Sequence, residues 1–401
     1  MDYSFILNRS KSLFEEDIKK FENSLSDLIK SSKILVIGGA GSIGMSVTNE
    51  IFKREPRKLH IVDLSENNLV ELVRMLRSSS ISPEKKIKNV ELKTFAIDNG
   101  SKEFEFFIKS QKPYDYIFNL SALKHVRSEK DPYTLMRLIN VNIINTVNNL
   151  NLVSNSKNLK NYFCISSDKA TNPVSLMGAS KKIMENFLMR ESESKKITMS
   201  RFANVAFSDG SLLFGFTQRI LKKQPIAAPN DVKRYFISPQ ESGEICLLSG
   251  FLGNNRDIFF PKMDSERDMI KLSDVAKKYI ETLGYECHEC ESEEHAIKDA
   301  NYLISKKKWP CFFSESNTTG EKGYEEFYDQ EENIDFSRFL KLGVVENEAK
   351  YNSFLLDSFY KDLNHLLDKK NWNKSELVAI IEKALPDYKH NELGFDLDQK
   401  M

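Results

Sequence analysis

Three clusters of residues in this sequence have types and spacings that could do chemistry. The first is Gly38-Gly39-Ala40-Gly41-Ser42-Ile43-Gly44, with glycines at 38, 41 and 44 between the apolar run KILVI and an amphipathic stretch. In a strand-turn-helix setting such glycines let the backbone turn tightly and approach a pyrophosphate. The helix that Ser42 and Ile43 open then offers unpaired N–H donors. A second apolar run, KLHIV, ends at Asp63, whose carboxylate can accept hydrogen bonds from an adenosine ribose. The two features together read as a dinucleotide site. Leu64 rather than Arg follows Asp63, so nothing offsets the repulsion of a 2′-phosphate, and NAD is expected over NADP. Asp98 ends a third apolar run, where it either meets the adenine amino group or starts the turn Asp98-Asn99-Gly100; both readings stand.

The second cluster is Ser167-Asp168-Lys169, just past the run YFCIS. Asp168 and Lys169 put an acid and a base at the carboxyl end of a central strand, where ligands of open parallel sheets bind. Elsewhere on a surface such a pair would be worth only about 0–1 kcal/mol as an ion pair. Met177 and Lys181, four residues apart on the next helix, share a face. Lys124 and His125 follow the run YDYIFNL and face the same cleft, as sugar or diphosphate contacts or as packing at a helix start. The third cluster, Cys287, His288 and Cys290, has the chemistry of half a zinc site. No second close pair follows it, and structural zinc takes four ligands, so no metal is expected.

Positioning these residues takes a sheet. KILVI, KLHIV, VELKTFAI, YDYIFNL, YFCIS and ITMSRF alternate with longer amphipathic stretches, the pattern of a parallel sheet wrapped by helices. The expected fold is α/β, a Rossmann-type doubly wound parallel sheet with a smaller α/β substrate domain and helical extensions at both ends. Residues 12–30 carry Phe14, Ile18, Phe21, Leu25, Leu28 and Ile29 at helical spacing, with Ser12 and Glu15 placed as a capping box. That helix docks on its own domain or on another subunit. Leu356, Phe359, Leu363, Leu366 and Leu367, then Leu377, Ile380, Ile381 and Ala384, mark two more helices, the second stopped by Pro386. The expected divisions are 1–30, an amphipathic helix; 31–205, the dinucleotide-binding domain; 206–344, the substrate domain; and 345–401, a helical extension.

The 401 residues have room for about two domains, and 40% hydrophobic with 29% charged residues is ordinary globular composition. Lys+Arg and Asp+Glu both total 58, so no broad electrostatic attraction draws the chain to nucleic acid or an anionic membrane. Any anionic ligand must be met locally. No uncharged apolar run of about 18 residues offers membrane insertion. The amino terminus lacks a signal-peptide layout, and five scattered cysteines do not make a disulfide framework, so a cytoplasmic location is expected.

The glycine spacing resembles that of extended short-chain dehydrogenase/reductases. LSALKHV at 120–126, SSDKATNPVSLMGASK at 166–181, RFANVAFSDGS at 201–211, RYF at 234–236 and TTGEKGYEEF at 318–327 sharpen the likeness. They are similar to segments of the soluble UDP-N-acetylglucosamine 4,6-dehydratases of surface-polysaccharide pathways, over residues 33 to 330. The resemblance implies a lyase with tightly bound NAD, which takes hydride from C4 of a UDP-sugar and returns it to C6 after water leaves. Lys169 would abstract the C5 proton and Asp168 would protonate the departing 6-hydroxyl. Met177 stands where reductases of the superfamily carry a tyrosine base in Tyr-x-x-x-Lys, and a thioether carries no proton. The C4 hydroxyl proton must then leave through Ser167 and Asp168, or water, while Lys181 would hold the nicotinamide ribose.

Burial and the NAD cation are expected to keep Lys169 neutral, as a base requires. Asn204 and Ser211 match family positions near the sugar nucleotide. Arg234 offers bidentate phosphate recognition, and Glu321 belongs to the family's Gly-Glu-Lys loop. The family assembles as homo-oligomers through the helices flanking strands four and five, where Leu135, Leu138, Ile139 and Asn142 form a stripe that is interface or core. Two rival readings are a sugar-nucleotide epimerase or dehydrogenase on the same fold, and a non-catalytic NAD-binding scaffold. A simple 4-epimerase needs the tyrosine base and has no use for the Asp-Lys pair. The scaffold has no use for Asp168, Lys169 and Lys181 together.

Overall fold

A computed structural model of the chain describes residues 3–79, 90–316, 320 and 324–392. All six expected runs are strands: β1 Lys33–Ile37, β2 Lys58–Asp63, β3 Glu91–Ala96, β4 Tyr116–Asn119, β5 Asn161–Ile165 and β6 Ile197–Ser200. They pair in parallel in the order 3-2-1-4-5-6, which makes the fold a Rossmann-type doubly wound α/β sheet. Strands β4, β5 and β6 are buried at every residue because helices cover both faces, and this is why their sequences are nearly continuous apolar runs. The edge strand β3 instead alternates in exposure. The order of strands reverses at β1, with β2 and β3 built outward on one side and β4 to β6 on the other, so the carboxyl ends of β1 and β4 open a crevice for ligand.

The large sheet does not end at β6. Strand Ile258–Pro261 adds in parallel beside β6, and Leu342–Val345 and Ile334–Asp335 follow it antiparallel. These strands fall inside the stretch 206–344 assigned from sequence to a substrate domain. The helix Pro239–Leu252 also belongs to the large layer, since it crosses the helix Ser42–Phe52 so closely that a Cβ on Gly243 would sit 2.9 Å from the backbone of Ser46. Two three-stranded sheets stand apart from it. One joins Met269–Lys271, Lys233–Ile237 and Asn204–Val205; the other is parallel and joins Glu286–Glu289, Lys308–Ser314 and Ile226–Pro229. Around them Leu213, Phe216, Ile226, Val275 and Trp309 form a second, smaller core.

The amino-terminal helix runs Glu15–Lys30 and buries Leu25 and Ile29 in its own domain. Its Asp17 is fully buried and accepts the N–H groups of Leu340 and Lys341. The expected capping box does not form. Ser12 Oγ accepts from Phe14 N and donates to Glu244, while Glu15 pairs with Lys19 at 2.6 Å. The carboxyl-terminal helices are Ser353–Lys369 and Lys374–Ala384, the latter ending just before Pro386 as that residue's ring demands. Leu356, Phe359, Leu363, Leu377 and Ile381 share one core with Ile183 and Phe187 of the helix after β5. Leu135, Leu138, Ile139 and Asn142 have no exposed surface at all. That stripe is core, so it has no free face for a second subunit.

Candidate active site

Each glycine of the turn after β1 has its own reason. Gly38 has φ +72°, and a Cβ there would lie 2.8 Å from Ser121 N, because the β1 and β4 loops pass closely at the crevice. A Cβ on Gly44 would lie 2.1 Å from Gly38 O, so that glycine lets the helix pack on the turn. A Cβ on Gly41 would meet nothing nearer than Gly38 O at 3.7 Å. Packing therefore does not require glycine at 41, and the bare backbone at the helix start would let a pyrophosphate approach closely. Ser42 and Ile43 begin that helix with Gly41 as its amino-terminal cap. Asp63 lies across the turn, with Oδ2 accepting Ala40 N and Oδ1 accepting Ser65 N, both at 2.9 Å. These residues fit a dinucleotide. Asp98 takes the turn reading, since its Oδ1 accepts Gly100 N at 2.9 Å.

One loop joins this cradle to the next group of side chains. Asp209 Oδ2 accepts from Ser42 Oγ at 2.9 Å, Ser208 Oγ accepts from Lys124 Nζ at 3.2 Å, and Gly210 lies against the His125 ring. Burial lowers the pKa of both Lys124 and His125. Lys124 is steadied from behind by Asn142, which accepts from Leu123 N and donates to Leu123 O. Asn142 sits in a π-helical turn, Asn140–Ile144, of the kind that marks functional sites. Ser211 caps the helix Leu212–Leu221, its Oγ accepting Phe214 N, so its hydroxyl does structural duty.

Beyond the loop, His125, Lys169, Asn204, Ser211 and Arg234 line one cleft of about 1450 Å³. Residues predicted from four separate segments thus converge. Asp168 and Lys169 form a one-turn 3-10 helix after β5, capped by Ser167, whose Oγ accepts Lys169 N. Ser167 Oγ also donates to Asp168 Oδ1 at 2.9 Å, and Lys169 Nζ donates to both Asp168 oxygens at 3.2 and 3.1 Å. Burial lowers the Lys169 pKa, but the charges of Asp168 and then Glu325 outweigh it and raise it. The expectation of a neutral lysine is therefore corrected for the chain by itself: two carboxylates beat desolvation. Lys181 is 3% exposed, donates to Ile165 O at 3.0 Å, and has its pKa lowered by burial. Met177, also 3% exposed, is set by Glu129, whose Oε1 accepts Met177 N at 2.8 Å.

Glu325 was missed in the sequence because nothing local distinguishes it from Glu326 beside it. Its Oε1 accepts Asn204 Nδ2 at 2.5 Å and its Oε2 accepts Tyr235 N at 2.7 Å. Arg234 donates Nη1 to Lys233 O, with its Nε 3.8 Å from Glu325. Glu321 lies outside the described residues. Arg201, also absent from the expected site, ties the Glu325 segment to the large sheet. Its guanidinium bonds both oxygens of Glu185 at 2.9 and 2.7 Å, both of Glu332 at 2.8 and 2.9 Å, and Phe327 O at 3.1 Å.

Replacing Gly41 by Val separates ligand from fold. We expect near-normal thermal unfolding, since the added Cβ meets only Gly38 O at an ordinary contact distance of 3.7 Å, together with loss of dinucleotide binding by calorimetry. Retained binding would remove the cradle assignment.

Comparison with known proteins agrees with this architecture. The chain is 29% identical over 374 residues to a Methanocaldococcus jannaschii protein named uncharacterized membrane protein MJ1061, covering 90% of this chain and 98% of that one. Among the described residues no helix is long and apolar enough to cross a membrane. It is 26% identical over 312 residues to the Staphylococcus aureus capsular polysaccharide biosynthesis protein CapD, covering 76% of this chain. It spans only 49% of CapD's length. The X-ray structure of Pen from Bacillus thuringiensis superposes with a TM-score of 0.64 at 21% identity, covering 85% of this chain and 98% of Pen, which shows a shared fold. A family model described as polysaccharide biosynthesis protein matches residues 34–346, and the chain belongs to that family.

Proposed function

We propose that the protein is a sugar-nucleotide 4,6-dehydratase acting on UDP-N-acetylglucosamine or a close relative. One observation carries the reading. The acid Asp168 and the base Lys169, which lines the cleft, meet just past the carboxyl end of β5, while the position of the usual tyrosine base is Met177. Family membership in polysaccharide biosynthesis supports the substrate class. Gly41, Ser42, Asp63 and Lys181 would hold tightly bound NAD, NADP being disfavoured beside Asp63. When bound, NAD supplies a hydride acceptor for C4 and a donor for C6, with no net consumption.

The chain's residues move the protons. Ser167, hydrogen-bonded to Asp168, passes the C4 hydroxyl proton to that carboxylate. The new ketone acidifies C5, whose proton goes to Lys169. Asp168 returns its proton to the departing 6-hydroxyl, which leaves as water, and Lys169 finally reprotonates C5. Both residues end as they began, so the cycle balances. Asn204 and Arg234, which line the same cleft, orient the sugar and its diphosphate. The protein is further proposed to be cytoplasmic and homo-oligomeric, through a face other than the buried Leu135 stripe.

Incubation with UDP-N-acetylglucosamine in D2O, followed by NMR, tests the reading. The expected product is a 4-keto-6-deoxy sugar nucleotide carrying deuterium at C5. A 4-epimer without loss of the 6-hydroxyl would make the epimerase reading correct instead.

A further inference from the structure

A lysine that abstracts a proton must first be an amine, and the surroundings of Lys169 work against that. Besides Asp168, a second carboxylate faces it: Glu325 Oε1 lies 3.9 Å from Lys169 Nζ. The Glu325 side chain is only 2% exposed and is fixed at both oxygens by Asn204 and by the backbone of Tyr235. The charged and titratable groups around it are Asp168 and Lys169 from the turn after β5, and Arg234 and Tyr235 from the strand Lys233–Ile237. Two cations and two carboxylates therefore meet at the cleft wall, and the charge on Glu325 decides whether they balance.

We propose that Glu325 is a positioning residue for the Asp168–Lys169 pair: it fixes the Asn204 amide and the Arg234 strand, and its charge sets how readily Lys169 becomes an amine. This rests on the dehydratase reading. Burial, with Asp168 adding to it, pushes the Glu325 carboxyl up to about 7. Above that pH the Glu325 anion favours the ammonium of Lys169. Below it Glu325 is neutral, and that hold on the lysine is gone.

Competitive acetylation with trace acetic anhydride, read peptide by peptide in a mass spectrometer, titrates Lys169 without requiring turnover. The lysine side chain is 31% exposed and within reach of so small a reagent. In Glu325→Gln the Lys169 midpoint should fall by about one pH unit, so acetylation near pH 8 is roughly tenfold faster than in the wild type. The difference should shrink below pH 7. Glu325→Asp, which keeps the charge, should stay near the wild-type profile. During turnover of UDP-N-acetylglucosamine, the acidic limb of kcat/KM should move to lower pH in Glu325→Gln, whereas a merely structural loss would lower the rate at every pH.

Identical acetylation profiles in wild type and Glu325→Gln overturn the proposal, whatever happens to turnover. A shifted profile in a protein that dehydrates no UDP-sugar confirms the hold of Glu325 on Lys169 and sinks the dehydratase reading alone. If Glu325→Gln does not fold, the wild-type profile decides, because the proposal requires a second inflection in Lys169 reactivity near pH 7.

Discussion

Lys169→Ala is expected to block elimination while leaving slow oxidation at C4, so absorbance of a reduced nicotinamide at about 340 nm should build up on adding substrate. The reason lies in the geometry of the pair. Asp168 keeps Ser167 Oγ at 2.9 Å, so the path for the C4 hydroxyl proton survives the loss of the lysine. Asp168→Asn should be impaired in both half-reactions, since it removes the acceptor for oxidation and the donor for water loss. Each change should cost about 10²- to 10⁴-fold, the usual effect of removing a general acid or base. Met177→Ala should lose mainly packing, for its side chain is buried and its backbone N–H is already held by Glu129. Total loss in Met177→Ala, with Lys169→Ala still forming the 4-keto-6-deoxy product at normal rates, would mean that the chemistry sits on other residues.

The largest effect on stability is expected at Arg201, which is 1% exposed and bonds two glutamates. Burial pushes the Glu185 carboxyl up, but Arg201 outweighs it and holds the pKa below its ordinary value. Arg201→Ala would leave the Glu185 charge buried with only Lys182, 3.9 Å away, and Ser166 as remaining partners, and breaking such a pair costs about 3–5 kcal/mol. A urea titration measures it directly. Arg201→Met combined with Glu185→Leu should regain much of the loss, because replacing a whole buried pair by apolar side chains is often neutral. A single variant within about 1 kcal/mol of wild type would show that the latch contributes little. Activity should fall with it, since Arg201 holds Phe327 O, two residues from Glu325.

Much of this molecule was legible in the sequence because its determinants are local. The six strands of the large sheet declare themselves by apolar runs, as strands covered on both faces must. The glycine turn is set by backbone freedom at Gly38 and close packing at Gly44, and the Asp168–Lys169 pair by adjacency in the chain. One local signal misled and another left two readings open. Ser12 and Glu15 have capping-box spacing, yet Glu244 and Lys19 claimed them. Asp98 has two uses at a strand end, and only the fold shows its Asx turn.

What the tertiary structure decided was every relation between distant segments. Strand Ile258–Pro261 returns to the large sheet, and the carboxyl-terminal helices bury the helix after β5, through pairings that no local period encodes. The charge of Lys169 is the sharpest instance. From sequence, burial and a bound NAD cation argued for a neutral amine. Folding brings Glu325 within 3.9 Å and closes Asp168 onto the same nitrogen, and at such distances two largely buried carboxylates outweigh the cost of burying one ammonium.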